Sequence, residues 1–185
     1  MSDTRDLLLE IGCEELPASF VEAALRALPE LVHNKLTELR LAHGSIRALG
    51  TPRRLSVLVT RVAERQPDLE EDVTGPPTKA AFKDGVPTKA AEAFASKIGC
   101  SVADLRRVET PKGEYLVGTR REAGQAATNL LADALASIIT AIPFRKSMRW
   151  GTGEFAFGRP MHWIVALFGE DIVPVEVAGI TSGRT

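Results

Sequence analysis

The sequence predicts an α+β fold, with mixed or antiparallel sheets and packed helices. Three observations predict it. Short apolar runs rich in β-branched residues occur near both ends of the chain. Several longer stretches carry apolar residues at steps of three and four. The two patterns follow in mixed order, without the strand–helix alternation of a doubly wound parallel sheet.

Leu7–Ile11 is apolar and bounded by Asp6 and Gly12, which reads as a buried strand. Ser19 with Glu22 three residues on fits a capping box. Val21, Leu25, Leu28, Val32, Leu36 and Leu39 then form one helix face. Pro29 falls inside that stretch and is expected to kink the helix or begin a second one. Ser45–Leu49 reads as a short strand. Leu55–Val62 alternates as a strand with one wet face.

Residues 64–87 change character. They hold Pro67, Gly75, Pro76, Pro77, Gly85 and Pro87, with an acidic cluster of Asp68, Glu70, Glu71 and Asp72. This reads as a loop or linker, and one beyond about 15 residues is functional or mobile. Thr88–Ile98 reads as a helix closed by Gly99, and Ser101 with Asp104 starts a helical turn. Arg107–Thr110 and Glu114–Arg120 flank a Pro111-Lys112-Gly113 turn, a hairpin pattern. Gln125–Ile142 is a strong helix with Leu131, Leu135, Ile138 and Ile142 on one stripe. Phe155–Phe157 is a short strand. His162–Phe168 and Ile172–Val177 read as a second hairpin across Gly169-Glu170-Asp171. The expected organisation is therefore an α+β unit over 1–63, a Pro/Gly-rich acidic linker over 64–87, and a second α+β unit over 88–185, packed with the first.

Composition sets the outer bounds. The chain has 185 residues, 44% hydrophobic and 25% charged, with a formal net charge of −1. That excludes a wholly basic nucleic-acid coat and an acidic disordered tail, but leaves room for local basic patches. Cys13 and Cys100 are too few and too isolated for a disulfide framework or a thiolate zinc site. The N-terminus has no basic-then-apolar signal pattern, and no apolar run reaches the roughly 18–20 residues of a membrane span. A cytoplasmic protein with no membrane partner is expected. The last strand pattern, near residues 172–180, lies close to Thr185, so the chain reads either as ending in a short tail or as a portion of something longer.

Positive charge gathers twice. Arg40, Arg47, Arg53, Arg54 and Arg61 occur with no acid between Arg40 and Arg61. Thr51-Pro52-Arg53-Arg54 is a stiffened turn whose adjacent guanidiniums can offer forked donors to phosphates; the alternative is a solvated surface turn. Phe144-Arg145-Lys146-Ser147-Met148-Arg149-Trp150 mixes cations with aromatic rings, and Arg159-Pro160 lies beyond. Such mixtures grip backbone phosphate and stack on bases. Equally, Phe144 and Trp150 could be core, with the cations solvating its rim.

Glu14 and Glu15 follow the first strand as a possible acidic pocket. No histidine is tied to them by spacing, and acids at a helix entrance are favourable in any case. His33, His43 and His162 lack metal-ligand spacing. Cys13 reads as an inert buried thiol. No phosphate-cradling glycine loop, Gly-x-Ser-x-Gly or His-Glu-x-x-His pattern occurs. No catalytic residue and no metal site is assigned.

The residues of these patches also carry a resemblance. Leu7–Ala18 (LLLEIGCEELPA), Thr51–Leu55 (TPRRL), Gly75-Pro76 with Pro87–Ala91, Met148–Gly151 (MRWG), and Phe157–Pro160 with Trp163 resemble the bacterial glycyl-tRNA synthetase β subunit family, in the family's order and over nearly the whole chain. The resemblance implies the N-terminal portion of a subunit several times longer. It implies an α2β2 ligase joining glycine to tRNA, whose ATP and Mg sites lie on the α subunit, with no cofactor in this portion. The fold is implied to be similar to the editing-module region of the phenylalanyl-tRNA synthetase β subunit. Partners are then tRNA, the α subunit and the remainder of β.

Glycine has no smaller competitor to reject, so hydrolytic editing has little to act on. Three roles follow. The first is tRNA binding through Arg53, Arg54, Arg145, Lys146, Arg149, Trp150 and Arg159. The second is a docking scaffold for the α subunit, anchored by Trp150, Phe155 and Phe157. The third is a residual deacylase using Glu14, Glu15 or Cys13. Charging by this portion alone is not expected.

Overall fold

The computed structural model describes residues 3–83, 85–111, 113–150 and 154–185. In chain order the elements are β1 (Thr4–Cys13), α1 (Ala18–Glu38), β2 (Ile46–Thr51), β3 (Arg54–Ala63), β4 (Leu69–Pro77), α2 (Thr78–Ala81), β5 (Phe82–Lys83), β6 (Val86–Pro87), α3 (Lys89–Ile98), a 3-10 turn (Val102–Asp104), β7 (Arg106–Thr110), β8 (Gly113–Glu122), α4 (Ala127–Ala141), β9 (Met148–Arg149), β10 (Ala156–Phe157), β11 (Met161–Phe168), β12 (Asp171–Ile172), β13 (Glu176–Val177) and β14 (Ile180–Thr181). The mixed α+β class with antiparallel sheets is as the sequence predicts.

The chain divides differently from the expected boundaries. One unit joins residues 1–66 to 125–185, and residues 67–124 form a second unit inserted between them. Residues 64–87 are not a linker: they contain β4 and α2.

The first unit is built on a five-stranded sheet ordered β12-β11-β1-β3-β2. Alternation along β1 sends Leu7, Leu9, Ile11 and Cys13 into the core. They pack in one cluster with Ala24, Leu28, Val32 and Leu36 of α1, and with Leu131, Leu135 and Ile138 of α4. Pro29 does not break α1, which runs unbroken from Ala18 to Glu38. An interior proline costs about 3 kcal/mol. The buried stripe on both sides of it offsets that, since each fully buried Leu or Val contributes about 1.5–3 kcal/mol. The expected capping box does not form either: Pro17 is the N-cap, and no side chain caps the helix.

The other sheet face carries Leu8, Glu10 and Gly12 of β1 opposite Leu58, Ser56 and Arg54 of β3. Leu49, Leu58 and Ile172 are large hydrophobic residues exposed on this face. The expected long strand after Gly169 is instead broken. Asp171–Ile172 pairs with β11, while Glu176–Val177 turns back on Ile180–Thr181.

The second unit has a three-stranded sheet ordered β4-β8-β7. Ala81, Ala91 and Leu116 form its buried centre, with Phe82, Phe94, Val102 and Leu105 against it. The acids read as a linker cluster are cross-strand partners: Glu70 pairs with Arg121, Glu71 with Arg120, and Asp72 with Arg106. β4 is an edge strand, so Pro76 and Pro77 at its end break no inner ladder. Ser101 and Asp104 start the expected helical turn, joined by a capping box, and Gly99 closes α3 at φ 76°.

Candidate functional site

The site lies at the end of β1, where a bulge changes the register. Gly12 pairs with Trp163, but the next residue, Cys13, pairs with Met161, which leaves His162 as the extra residue. Bulges re-aim side chains in this way. His162 Nε2 lies 2.8 Å from Glu14 Oε1, and Arg53 Nη2 donates to Glu14 Oε2 at 3.1 Å. The hydrogen bond to His162, then that from Arg53, holds the Glu14 carboxyl below the usual value.

Backbone bonds fix this arrangement from both sides. Cys13 N–H donates to Arg53 O at 3.1 Å and Leu16 N–H to Pro52 O at 2.6 Å, while Glu14 N–H donates to Pro160 O at 2.9 Å. The Thr51–Arg54 turn and the Arg159-Pro160 segment thus flank Cys13–Leu16.

Gly12 is central to the packing. A Cβ placed there would fall 1.9 Å from Trp163 Cε2, so the indole lies directly on the glycine backbone. Arg54 Cζ sits over the Trp163 ring, 5.2 Å from its centroid, and Arg54 Nε makes a loose 3.6 Å pair with Glu10. Ser56 Oγ donates to Glu10 at 2.6 Å. Arg54, Gly12 and Trp163 are register partners on three adjacent strands. Cys13, Thr51, Arg53, Arg54, His162 and Trp163 line a cavity of about 390 Å³. Burial, with the Glu14 carboxylate adding, pushes the Cys13 thiol up to about 11. It is therefore almost wholly protonated near neutral pH and a poor nucleophile.

The second basic stretch reaches the same end of the unit. Phe144 packs against Phe20 and Phe157, with ring centroids 5.6 and 4.7 Å apart. Arg159 lies over Phe20 at 6.0 Å. Gly158 is pressed between Phe144 and Leu16: a Cβ there would stand 2.8 Å from Phe144 Cδ1 and 3.0 Å from Leu16 Cδ2. The segments carrying both patches therefore meet around Leu16. Arg145, Lys146 and Arg149 are exposed. Gly151, at the end of the MRWG motif, lies outside the described residues.

The structure sorts the expected residues. Arg53, Arg54 and Glu14 come together, and Arg159 is brought to the same end. Glu15 is exposed and takes no part in the Glu14 cluster. The three aromatic residues expected as docking anchors are instead packed within the unit: Phe157 is buried, and Trp150 and Phe155 are half-buried against the same core. Sequence spacing missed His162 as the partner of Glu14, because the two are brought together by strand pairing across 148 positions. It also missed Trp163 as the aromatic wall. A glycine inside a strand pattern was the available signal, since it marks a bulge or a close approach. His33 Nδ1 and His43 Nε2 also meet, at 3.2 Å, elsewhere in this unit. Among the described residues, no group of three or more His, Cys, Asp or Glu is placed to hold a metal ion. No helix among them is long and apolar enough to cross a membrane.

Comparison with known proteins agrees with the motif resemblance. The family model described as glycyl-tRNA synthetase beta subunit matches residues 7–185. The chain is 48% identical over 182 residues to the glycine–tRNA ligase beta subunit of Myxococcus xanthus (strain DK1622), covering 98% of this chain and 26% of that protein. It is 42% identical over 183 residues to the protein of the same name from Syntrophus aciditrophicus (strain SB), with 98% and 26% covered. For that of Moorella thermoacetica (strain ATCC 39073 / JCM 9320) the identity is 44% over 181 residues, with 97% and 26% covered. The chain thus spans about a quarter of the length of these relatives.

Proposed function

The chain belongs to the glycyl-tRNA synthetase beta subunit family, and from that premise we propose that it serves a cytoplasmic glycine–tRNA ligase by binding tRNA and organising its subunits. The carrying observation is the convergence of both basic segments around Leu16. Arg53, Arg54, Arg145, Lys146, Arg149 and Arg159 would together present donors to the phosphate backbone. Such contacts position RNA and supply affinity without reading sequence. Aminoacylation, with its ATP and Mg, would belong to the α subunit. The raised pKa of Cys13 argues against a thiolate deacylase.

The test is a comparison of glycine tRNA binding by this chain and by its Arg145→Glu, Lys146→Glu, Arg149→Glu variant. Affinity should fall at least 10-fold at low salt. Equal affinity would contradict the reading.

A specific observation favours a second role beside the first. Leu49, Leu58 and Ile172 are exposed on the sheet face opposite the helices, where they would be covered by the α subunit. This open face, rather than the internally packed Trp150, Phe155 and Phe157, would then be the docking surface.

A further inference from the structure

The geometry points to the cavity at the β1 bulge as a binding site for one unpaired RNA nucleotide, its base stacked between Trp163 and Arg54 and its phosphate held by Arg53. This deepens the tRNA reading and rests on it.

The inner face of the Trp163 indole is closed by Gly12, whose missing side chain lets the ring lie flat on the sheet. The outer face is covered by the Arg54 guanidinium alone among the ring and cation contacts of this residue. That cover is loose. The Arg54 side chain is 55% exposed and its pair with Glu10 spans 3.6 Å. Glu10 is only 20% exposed and accepts a bond from Ser56, but 3.6 Å is too long for a hydrogen bond, so it holds Arg54 weakly. A base can therefore displace the guanidinium and lie between it and the indole, two surfaces on which unpaired bases stack. A duplex offers no such base, because its bases are already stacked.

The rest of the wall suits the same ligand. Arg53 is 67% exposed and tied to Glu14 by a single bond of 3.1 Å, so it can turn toward a phosphate. The Glu14–His162 pair places an acceptor and an imidazole side by side at the rim, where a base edge carries both donors and acceptors. The volume of about 390 Å³ falls within the roughly 300–1,000 Å³ of small-ligand sites. No smaller anion accounts for the aromatic wall, and no apolar ligand accounts for two arginines.

The test uses fluorescence of Trp163 in a Trp150→Phe background, since these are the only two tryptophans. The probes are an eight-nucleotide single-stranded RNA of mixed sequence, the same sequence as a duplex, and glycine tRNA. The single strand should quench Trp163 saturably and bind several-fold more tightly than the duplex. Trp163→Leu should weaken single-strand binding by roughly 5- to 150-fold, the span of one stacked base. Arg54→Ala, on an exposed position, should weaken it without disturbing the core. If tRNA binds but Trp163 is unquenched and both substitutions leave single-strand affinity unchanged, the cavity assignment is overturned while the basic surface stands. If tRNA does not bind even at low salt, both readings fail.

Discussion

Trp163 rests on Gly12: the indole Cε2 lies 1.9 Å from where a Cβ on that glycine would sit. The two residues are register partners on β1 and β11, immediately before the bulge that frees His162. One glycine thus lets an aromatic ring cross a neighbouring strand and wall the cavity beside Arg53 and Arg54.

Gly12→Ala tests this packing. The added methyl must push the indole off the sheet, because the backbone fixes where a Cβ sits. A stability loss of about 1–3 kcal/mol is expected, as for other overpacked sites. Tryptophan emission should also shift as Trp163 becomes more exposed. Unchanged melting and emission would show that the ring is not seated there.

Glu14 gives a pH dependence of known sign. Its hydrogen bonds to His162 and Arg53 lower its folded-state value below the ordinary 4.5. The stabilisation is fully present above that ordinary value and is lost as pH falls through the lower, folded one. Thermal melts between pH 7 and 3 should show a fall on the acid side that is shallower in Glu14→Gln. Parallel curves for the two proteins would remove Glu14 from the cluster.

The open sheet face makes a separate prediction. Leu49→Glu with Leu58→Glu should lower the melting temperature only modestly and leave the fold intact, since the two residues are 48% and 38% exposed and outside the core. Co-elution with the α subunit at high salt should be lost. Co-elution as strong as that of the unsubstituted chain would show that α does not cover this face.

In the second unit, the Glu70–Arg121 and Glu71–Arg120 pairs are exposed on β4 and β8. Double-mutant cycles should give each pair no more than about 1 kcal/mol, and less in high salt. Larger, salt-independent couplings would mean that these charges hold the edge strand in place.

Much of the first unit was legible because its signals are local. Leu7, Leu9 and Ile11 alternate, and Leu28, Val32 and Leu36 repeat on one helical face, so both core layers could be read from spacing. β4 was not legible. Glu70, Glu71 and Asp72 lack an apolar face, and their partners Arg121, Arg120 and Arg106 stand 34 or more positions away. The prolines at its end also read as punctuation, although an edge strand tolerates them. The arginines of the site were legible as charge. The cavity was not, because it depends on a bulge that brings His162 to Glu14 and on a glycine that admits Trp163.

The most direct measurement is the affinity of this chain for glycine tRNA across a series of salt concentrations. Log affinity should fall linearly with log salt, with a slope that counts the phosphates neutralised, at about 0.7–0.9 per contact. The slope should flatten in the Arg145→Glu, Lys146→Glu, Arg149→Glu variant and again when Arg53 and Arg54 are removed. A chain that does not bind at low salt, or whose slope ignores these residues, would contradict the claim that the two basic segments form a tRNA surface.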